Sequence, residues 1–188
     1  MKTSLILIDV INDFFHPQGR NYHSEYDATL ENILTLLRIA REYNIPVVHA
    51  MEGHYPAARS LDFEWIKLPP HCFLGEFDAE PVTQVQIFTG QEYIVRKRRF
   101  SAFFETDLNL LLREAGIERI ILAGVKTHVC VRATAQDGFG YGYHVVLPRE
   151  AVNSNYRHLH DASLEDIQRY MGEVVALEDA IAMLQGKI

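Results

Sequence analysis

The stretch "ERIILAGVKTHVCVRATAQDGFGYGYHVVLP", residues 118–148, decides the fold. It opens with a short apolar run, ERIILAG at 118–124. It then passes through Gly124 into a longer segment with helical character at 127–142 and closes on a second apolar run, YHVVLP at 143–148. Two near-continuous apolar runs around a helix-length segment form a β–α–β unit, because strands of a parallel sheet are buried on both faces and lose the alternation of a half-exposed strand. Upstream, SLILID (4–9), IPVVHA (45–50) and EYIVRK (92–97) read as further strands. Between the first two, residues 28–44 carry Leu30, Ile33, Leu34, Leu37 and Ala40 on one helical stripe that ends at Asn44. Residues 106–116 read as a helix with Thr106 as N-cap and Gly116 at its end. Downstream come a helix at 158–171, a strand at 173–177 and a last short helix at 179–185. Strand–helix alternation throughout predicts one α/β domain over 1–188, with a parallel sheet between two layers of helices. A Pro-rich, irregular excursion at about 51–91 interrupts it, and long excursions of this kind in compact domains are commonly functional.

Composition narrows the function classes. The chain has 188 residues, 48% hydrophobic and 23% charged, which fits a globular domain rather than a disordered one. The formal net charge of −7 argues against nucleic acid as a partner, since phosphate binding needs clustered Lys and Arg. The RKRR run at 96–99 is too short to reverse that balance. No segment approaches the roughly 20 apolar residues of a membrane span. The run Leu5–Ile8 is too short for a signal h-region and meets Asp9 at once. Two cysteines, Cys72 and Cys130, make no disulfide framework, so a reducing, cytoplasmic setting is expected.

In parallel α/β sheets ligands bind beyond the carboxyl ends of the strands. Asp9 follows the first strand there. His49, Glu52 and His54 follow the second, Lys97 ends the third, and Gly124 leads from the fourth toward Cys130. A lone cysteine is most often a small buried hydrophobe. Cys130, however, falls in the first turn of the predicted helix, where backbone N–H groups and the dipole favour a thiolate, and Asp9 and Lys97 on the same rim supply a base and a cation. Strand alternation turns either Arg96 or Lys97 inward; Arg96, Arg98 and Arg99 read as surface charge.

Three segments, LILIDVINDFF, VRKRRFSAFFETDL and LAGVKTHVCVRATAQDGF followed by GYHVVLPREAV, together resemble the isochorismatase-like cysteine hydrolases. The resemblance spans nearly the whole chain, in order. It implies a three-layer fold with six parallel strands in the order 3-2-1-4-5-6 and a catalytic triad of Asp9, Lys97 and Cys130. It also implies a non-proline cis peptide between Val125 and Lys126, with the N–H groups of Lys126 and Cys130 as oxyanion hole. The excursion is similar to the metal loop of the nicotinamidase branch: MEGHYP and EWIKLPPHCFLGEFDAEPV put Glu52, His54, Glu64 and His71 at ligand positions. Glu52 stands where the family usually has Asp. Mixed His and carboxylate ligands imply a divalent metal, zinc first, with iron or manganese as alternatives. Leu68 stands where nicotinamidases tend to carry an aromatic wall; Phe14, Phe100 and Trp65 could take that part, and Phe14, Leu68 and Phe100 are the expected pocket residues. Lys126 and His128 replace a small residue and an acid or amide found in many members. The expectation is therefore a cysteine-dependent hydrolase of a small-molecule amide, nicotinamide first, assembled as a homo-oligomer. The alternatives are an amidase of N-carbamoyl or maleamate type and a non-catalytic thiol sensor.

Overall fold

The computed structural model describes residues 1–58 and 62–188. Its centre is a parallel sheet of seven strands: β1 (Thr3–Ile8), β2 (Val47–Glu52), β3 (Tyr93–Lys97), β4 (Arg119–Val125), β5 (His144–Pro148), β6 (Val152–Asn153) and β7 (Gly172–Val175). The main order is β3-β2-β1-β4-β5-β7, and β6 adds to the end of β4. The expected order 3-2-1-4-5-6 holds once the expected sixth strand is recognised as β7. The two residues of β6, directly after the 3-10 turn Arg149–Ala151, are too few to leave a periodic signal.

Period-2 alternation in β1 divides the core. Leu5 and Leu7 face one cluster with Leu30, Ile33, Leu36 and Leu37 of α2 (Tyr26–Glu42), after the single turn α1 (Asn12–Phe15). Ile6 and Ile8 face the other cluster, with Leu108 and Leu112 of α3 (Leu108–Glu114), Ala135 of α4 (Arg132–Gly140) and Ile167 of α5 (Arg157–Tyr170). The last helix, α6 (Leu177–Leu184), returns to the α2 side through Ala180 and Leu184. Every residue of β1 is buried, as a central strand covered on both faces must be. Among the described residues no helix is long and apolar enough to cross a membrane.

Two boundaries differ from expectation with a physical reason. Helix α3 starts one residue after Asp107, not at Thr106, but the Thr106 hydroxyl still accepts the Leu108 N–H at 3.3 Å, so the capping chemistry is kept. The segment expected to be one helix from 127 opens as a π-helical turn, Thr127–Val131, before α4 begins. Among its described residues the excursion contains three short 3-10 turns, Pro56–Ala58, Phe63–Ile66 and Phe77–Ala79.

What the fold positions is the carboxyl edge of the sheet. Ile8 is in register with Ala50 on one side and Gly124 on the other, and Glu52 lies opposite Lys97. The residues that continue these strands therefore meet on one rim. Gly124 is needed there: its φ is +133°, and a Cβ built on it would lie 2.0 Å from the carbonyl oxygen of Ile8.

Candidate active site

Asp9 leaves β1 with φ +54° and is held by its own N–H on the Ala50 carbonyl at 2.9 Å. Its Oδ1 accepts the backbone N–H of Glu52 at 2.7 Å, and its Oδ2 lies 2.8 Å from the Lys97 ammonium. Lys97 Nζ in turn sits 3.6 Å from Cys130 Sγ. An oxygen of Asp9, an oxygen of Glu52 and the sulfur all lie within 4.8 Å of one another. Asp9 and Lys97 are fully buried, and Cys130 retains 5% exposure toward a cavity of about 440 Å³. The Val125–Lys126 peptide bond is cis. Thr134 fixes the turn around the sulfur: its hydroxyl donates to the Cys130 carbonyl at 2.8 Å and accepts the Ala102 N–H at 3.0 Å.

The charges in this pocket oppose one another. Burial raises the Asp9 pKa above the ordinary carboxylate value, while Lys97 pulls it down. Burial raises the Cys130 thiol well above its usual value, and Lys97 only partly offsets that. The resting sulfur is therefore a thiol and not the thiolate that a helix start alone suggests. Burial works against the Lys97 ammonium, but the carboxylates of Asp9 and Glu52 keep it charged, with its pKa raised.

Beside this cluster, Glu52 Oε1 lies 3.0 Å from His54 Nε2 and 2.8 Å from His71 Nε2. Glu64 Oε2 comes within 3.4 Å of His54 Nε2 and is buried, with no hydrogen bond among the described residues. The outward nitrogens are both engaged: His54 Nδ1 with Asp62 at 2.9 Å, and His71 Nδ1 donating to the Pro69 carbonyl at 2.8 Å. Glu52, His54 and Glu64 thus offer ligand atoms within 4.8 Å of one another, His71 Nε2 joins them through Glu52, and each Nδ1 is held from behind, a donor set of the kind first-row divalent metals take. The residues fit such an ion. Burial and the Glu52 charge raise the Glu64 pKa to about 6. Burial disfavours charge on His71, yet Glu52 and Pro69 outweigh it and raise its pKa to about 9. Positive charge is therefore held among these donors, as a cation site would hold it.

Phe14, Leu68 and Phe100 all line the cavity at Cys130, together with His71 and Lys126. Trp65 does not; it packs on the rings of His54, His71 and Phe73. His49 is not on the rim. It lies three residues short of the end of β2 and binds Glu92 at 2.8 Å, which Arg41 also grips. The reading of Arg96, Arg98 and Arg99 as plain surface charge is corrected as well. Arg96 donates to the Ala79 carbonyl at 2.7 Å, while Arg98 and Arg99 reach Asp62 at 3.2 and 2.8 Å. Asp62 and Asn21 escaped the sequence reading. Asp62 had a weak signal, an acid two residues before Glu64; Asn21 had none.

Comparison with known proteins settles the family. The Isochorismatase domain model matches residues 3–179. The chain belongs to the isochorismatase family. Among isochorismatase-family relatives, maleamate amidohydrolase of Pseudomonas putida is 29% identical over 187 residues, 98% of this chain and 87% of that protein. The nicotinamidase/pyrazinamidase structure from Bacillus subtilis superposes with a TM-score of 0.87 at 31% identity, covering 94% of this chain and 100% of the other. The pyrazinamidase of Pyrococcus horikoshii, solved in complex with zinc, superposes with a TM-score of 0.83 at 27% identity over 94% of this chain and 99% of the other. An isochorismatase-family hydrolase with this cavity has relatives acting on both ring and open-chain amides, so fold and family alone do not choose the substrate.

Proposed function

We propose that the protein is a cysteine-dependent amidohydrolase of small carboxamides, with nicotinamide the first substrate to test. The observation that carries this reading is the Lys97 ammonium placed 2.8 Å from Asp9 and 3.6 Å from Cys130 Sγ at the wall of the cavity. Cys130 Sγ attacks the amide carbon as its proton passes to Asp9, which is why a neutral resting thiol is no obstacle. The backbone N–H groups of Lys126 and Cys130 hold the oxyanion. The C–N bond then breaks, Asp9 returns its proton to the departing ammonia, and a thioester remains. Water attacks the thioester, giving a proton to Asp9 that finally restores the thiol, and the carboxylic acid leaves. Lys97 keeps Asp9 in place and balances the charge that moves between oxygen and sulfur.

Glu52, His54, Glu64 and His71 would hold a divalent metal, zinc first, with iron or manganese as alternatives. Such an ion would supply an electron-pair acceptor for a ring nitrogen and so orient a pyridine amide. The zinc-bound pyrazinamidase among the structural neighbours supports this part of the reading. Ammonia release from nicotinamide by the purified, metal-loaded protein is the test; release at the rate of buffer alone contradicts it.

A second substrate reading rests on Lys126. Its ammonium lines the same cavity, half-buried, with a neutral partner, Asn21 Oδ1, at 3.3 Å, and it lies 5.7 Å from the centre of the Phe14 ring. Burial lowers its pKa, the mark of a cation short of counter-charge. An open-chain amide bearing a carboxylate, as maleamate does, would provide that charge. If so, maleamate outcompetes nicotinamide, and Lys126→Met lowers kcat/KM for maleamate by about 10–100-fold, the value of a charge-assisted hydrogen bond. An equal loss on both amides contradicts carboxylate recognition by Lys126.

A further inference from the structure

Asp62 lies outside the donor set, yet its side chain is wholly buried. All its bonding capacity is directed. Oδ2 meets His54 Nδ1 at 2.9 Å and accepts Arg98 Nη2 at 3.2 Å. Oδ1 accepts Arg99 Nη1 at 2.8 Å and the backbone N–H of Glu64 at 3.2 Å. One carboxylate therefore touches two of the four converging residues from behind, one through its ring and one through its backbone. Arg98 and Arg99 follow Lys97 directly in the chain. The strand end that delivers the ammonium of the triad thus also delivers two guanidiniums onto the acid behind His54.

This arrangement separates Asp62 from its neighbour Glu64. Glu64 Oε2 is buried, has no hydrogen bond among the described residues and faces His54 Nε2. Asp62 is a buried carboxylate committed to two partly exposed guanidiniums and to the Glu64 N–H, and turning inward to become a ligand would break all three of these bonds. It is fixed as an acceptor for the Nδ1–H of His54, which leaves the lone pair of Nε2 toward Glu52 and Glu64. We propose that Asp62 is the positioning residue of this loop, locked by Arg98 and Arg99, and that it sets the metal affinity of the site from outside the ligand shell. The inference rests on reading Glu52, His54, Glu64 and His71 as the donor set.

The test is a titration of the metal-stripped full-length chain with Co²⁺ and with Zn²⁺ against a chromophoric chelator. The visible spectrum of bound Co²⁺ and the rate at which iodoacetamide alkylates Cys130 are recorded alongside. Asp62→Ala is expected to lose about 10–100-fold in affinity for both ions and to change the cobalt spectrum, with Cys130 alkylation at the wild-type rate. Asp62→Asn keeps an acceptor oxygen and is expected to recover part of the affinity, which a purely structural role would not predict. The double variant Arg98→Met with Arg99→Met retains the carboxylate, so it tests the lock even where Asp62→Ala folds poorly; it is expected to shift the cobalt spectrum. Wild-type affinity and spectrum in Asp62→Asn and in the double arginine variant overturn the proposal alone. A wild-type protein that binds neither ion overturns the donor set and this inference together, while ammonia release reports on the triad separately.

Discussion

Asp9 and Cys130 show what single residues contribute. With the thiol neutral at rest, reactivity at the sulfur depends on a base that accepts its proton during attack, and Asp9 is the group in place for it. Asp9→Asn is therefore expected to slow iodoacetamide alkylation of Cys130 at least about 10²-fold near neutral pH, the lower range for general base catalysis; alkylation at the wild-type rate would clear Asp9 of that part. At His71 the expectation is a pH dependence of the metal-free protein. Its folded pKa of about 9 lies above the ordinary value of 6.5, so the proton is bound more tightly in the folded state. The stabilisation is complete below about pH 6.5 and is lost as the pH rises through about 9. Melting temperatures of the metal-free wild type should fall over that window, and those of His71→Asn should fall less, since His54, also raised, still titrates there; parallel curves would contradict the assignment. Asp9, Lys97 and Cys130 were legible because each sits at the end or start of a clearly patterned element. Arg98 and Arg99 were not, because β3 ends at Lys97 and a pair of cations beyond a strand carries no local pattern that shows which acid they meet. His49 was misplaced for the opposite reason: β2 runs on to Glu52, leaving it mid-strand.

Among the elements, β1 and β4 matter most, since their close approach brings Asp9 and the Cys130 turn together. Gly124 permits it. Gly124→Ala would force a Cβ to 2.0 Å from the Ile8 carbonyl at a backbone φ of +133°, so the strands must part. The expected cost is about 3 kcal/mol or more, read as a drop in urea midpoint, with activity lost along with it; a variant of wild-type stability would show that the strands tolerate separation. The larger elements were readable because burial on both faces leaves apolar runs and helix stripes. The four-residue α1 and the two-residue β6 were not, being shorter than the periods that reveal such elements. The π-helical opening at Thr127–Val131 also left no trace, because hydrophobic spacing over five residues does not separate it from an α-helical turn.

For the whole molecule, strand order makes the site. With β1 between β2 and β4, and β3 beyond β2, residues 9, 52, 97 and 130 become neighbours although far apart in sequence. The resemblance supplied that order; the alternation of elements by itself supplied only the sheet and its layers. The excursion was recognised as functional from its length and its histidines, but its internal wiring through Asp62 depends on contacts between distant segments that no local pattern encodes. The central claim is that Cys130, served by Asp9 and Lys97, breaks an amide bond. It is tested most directly by measuring ammonia release from nicotinamide and maleamate by the wild type and by Cys130→Ala under identical metal loading. The account predicts release from at least one amide by the wild type and a loss of at least about 10³-fold in a folded Cys130→Ala variant; release by that variant at the wild-type rate would contradict it.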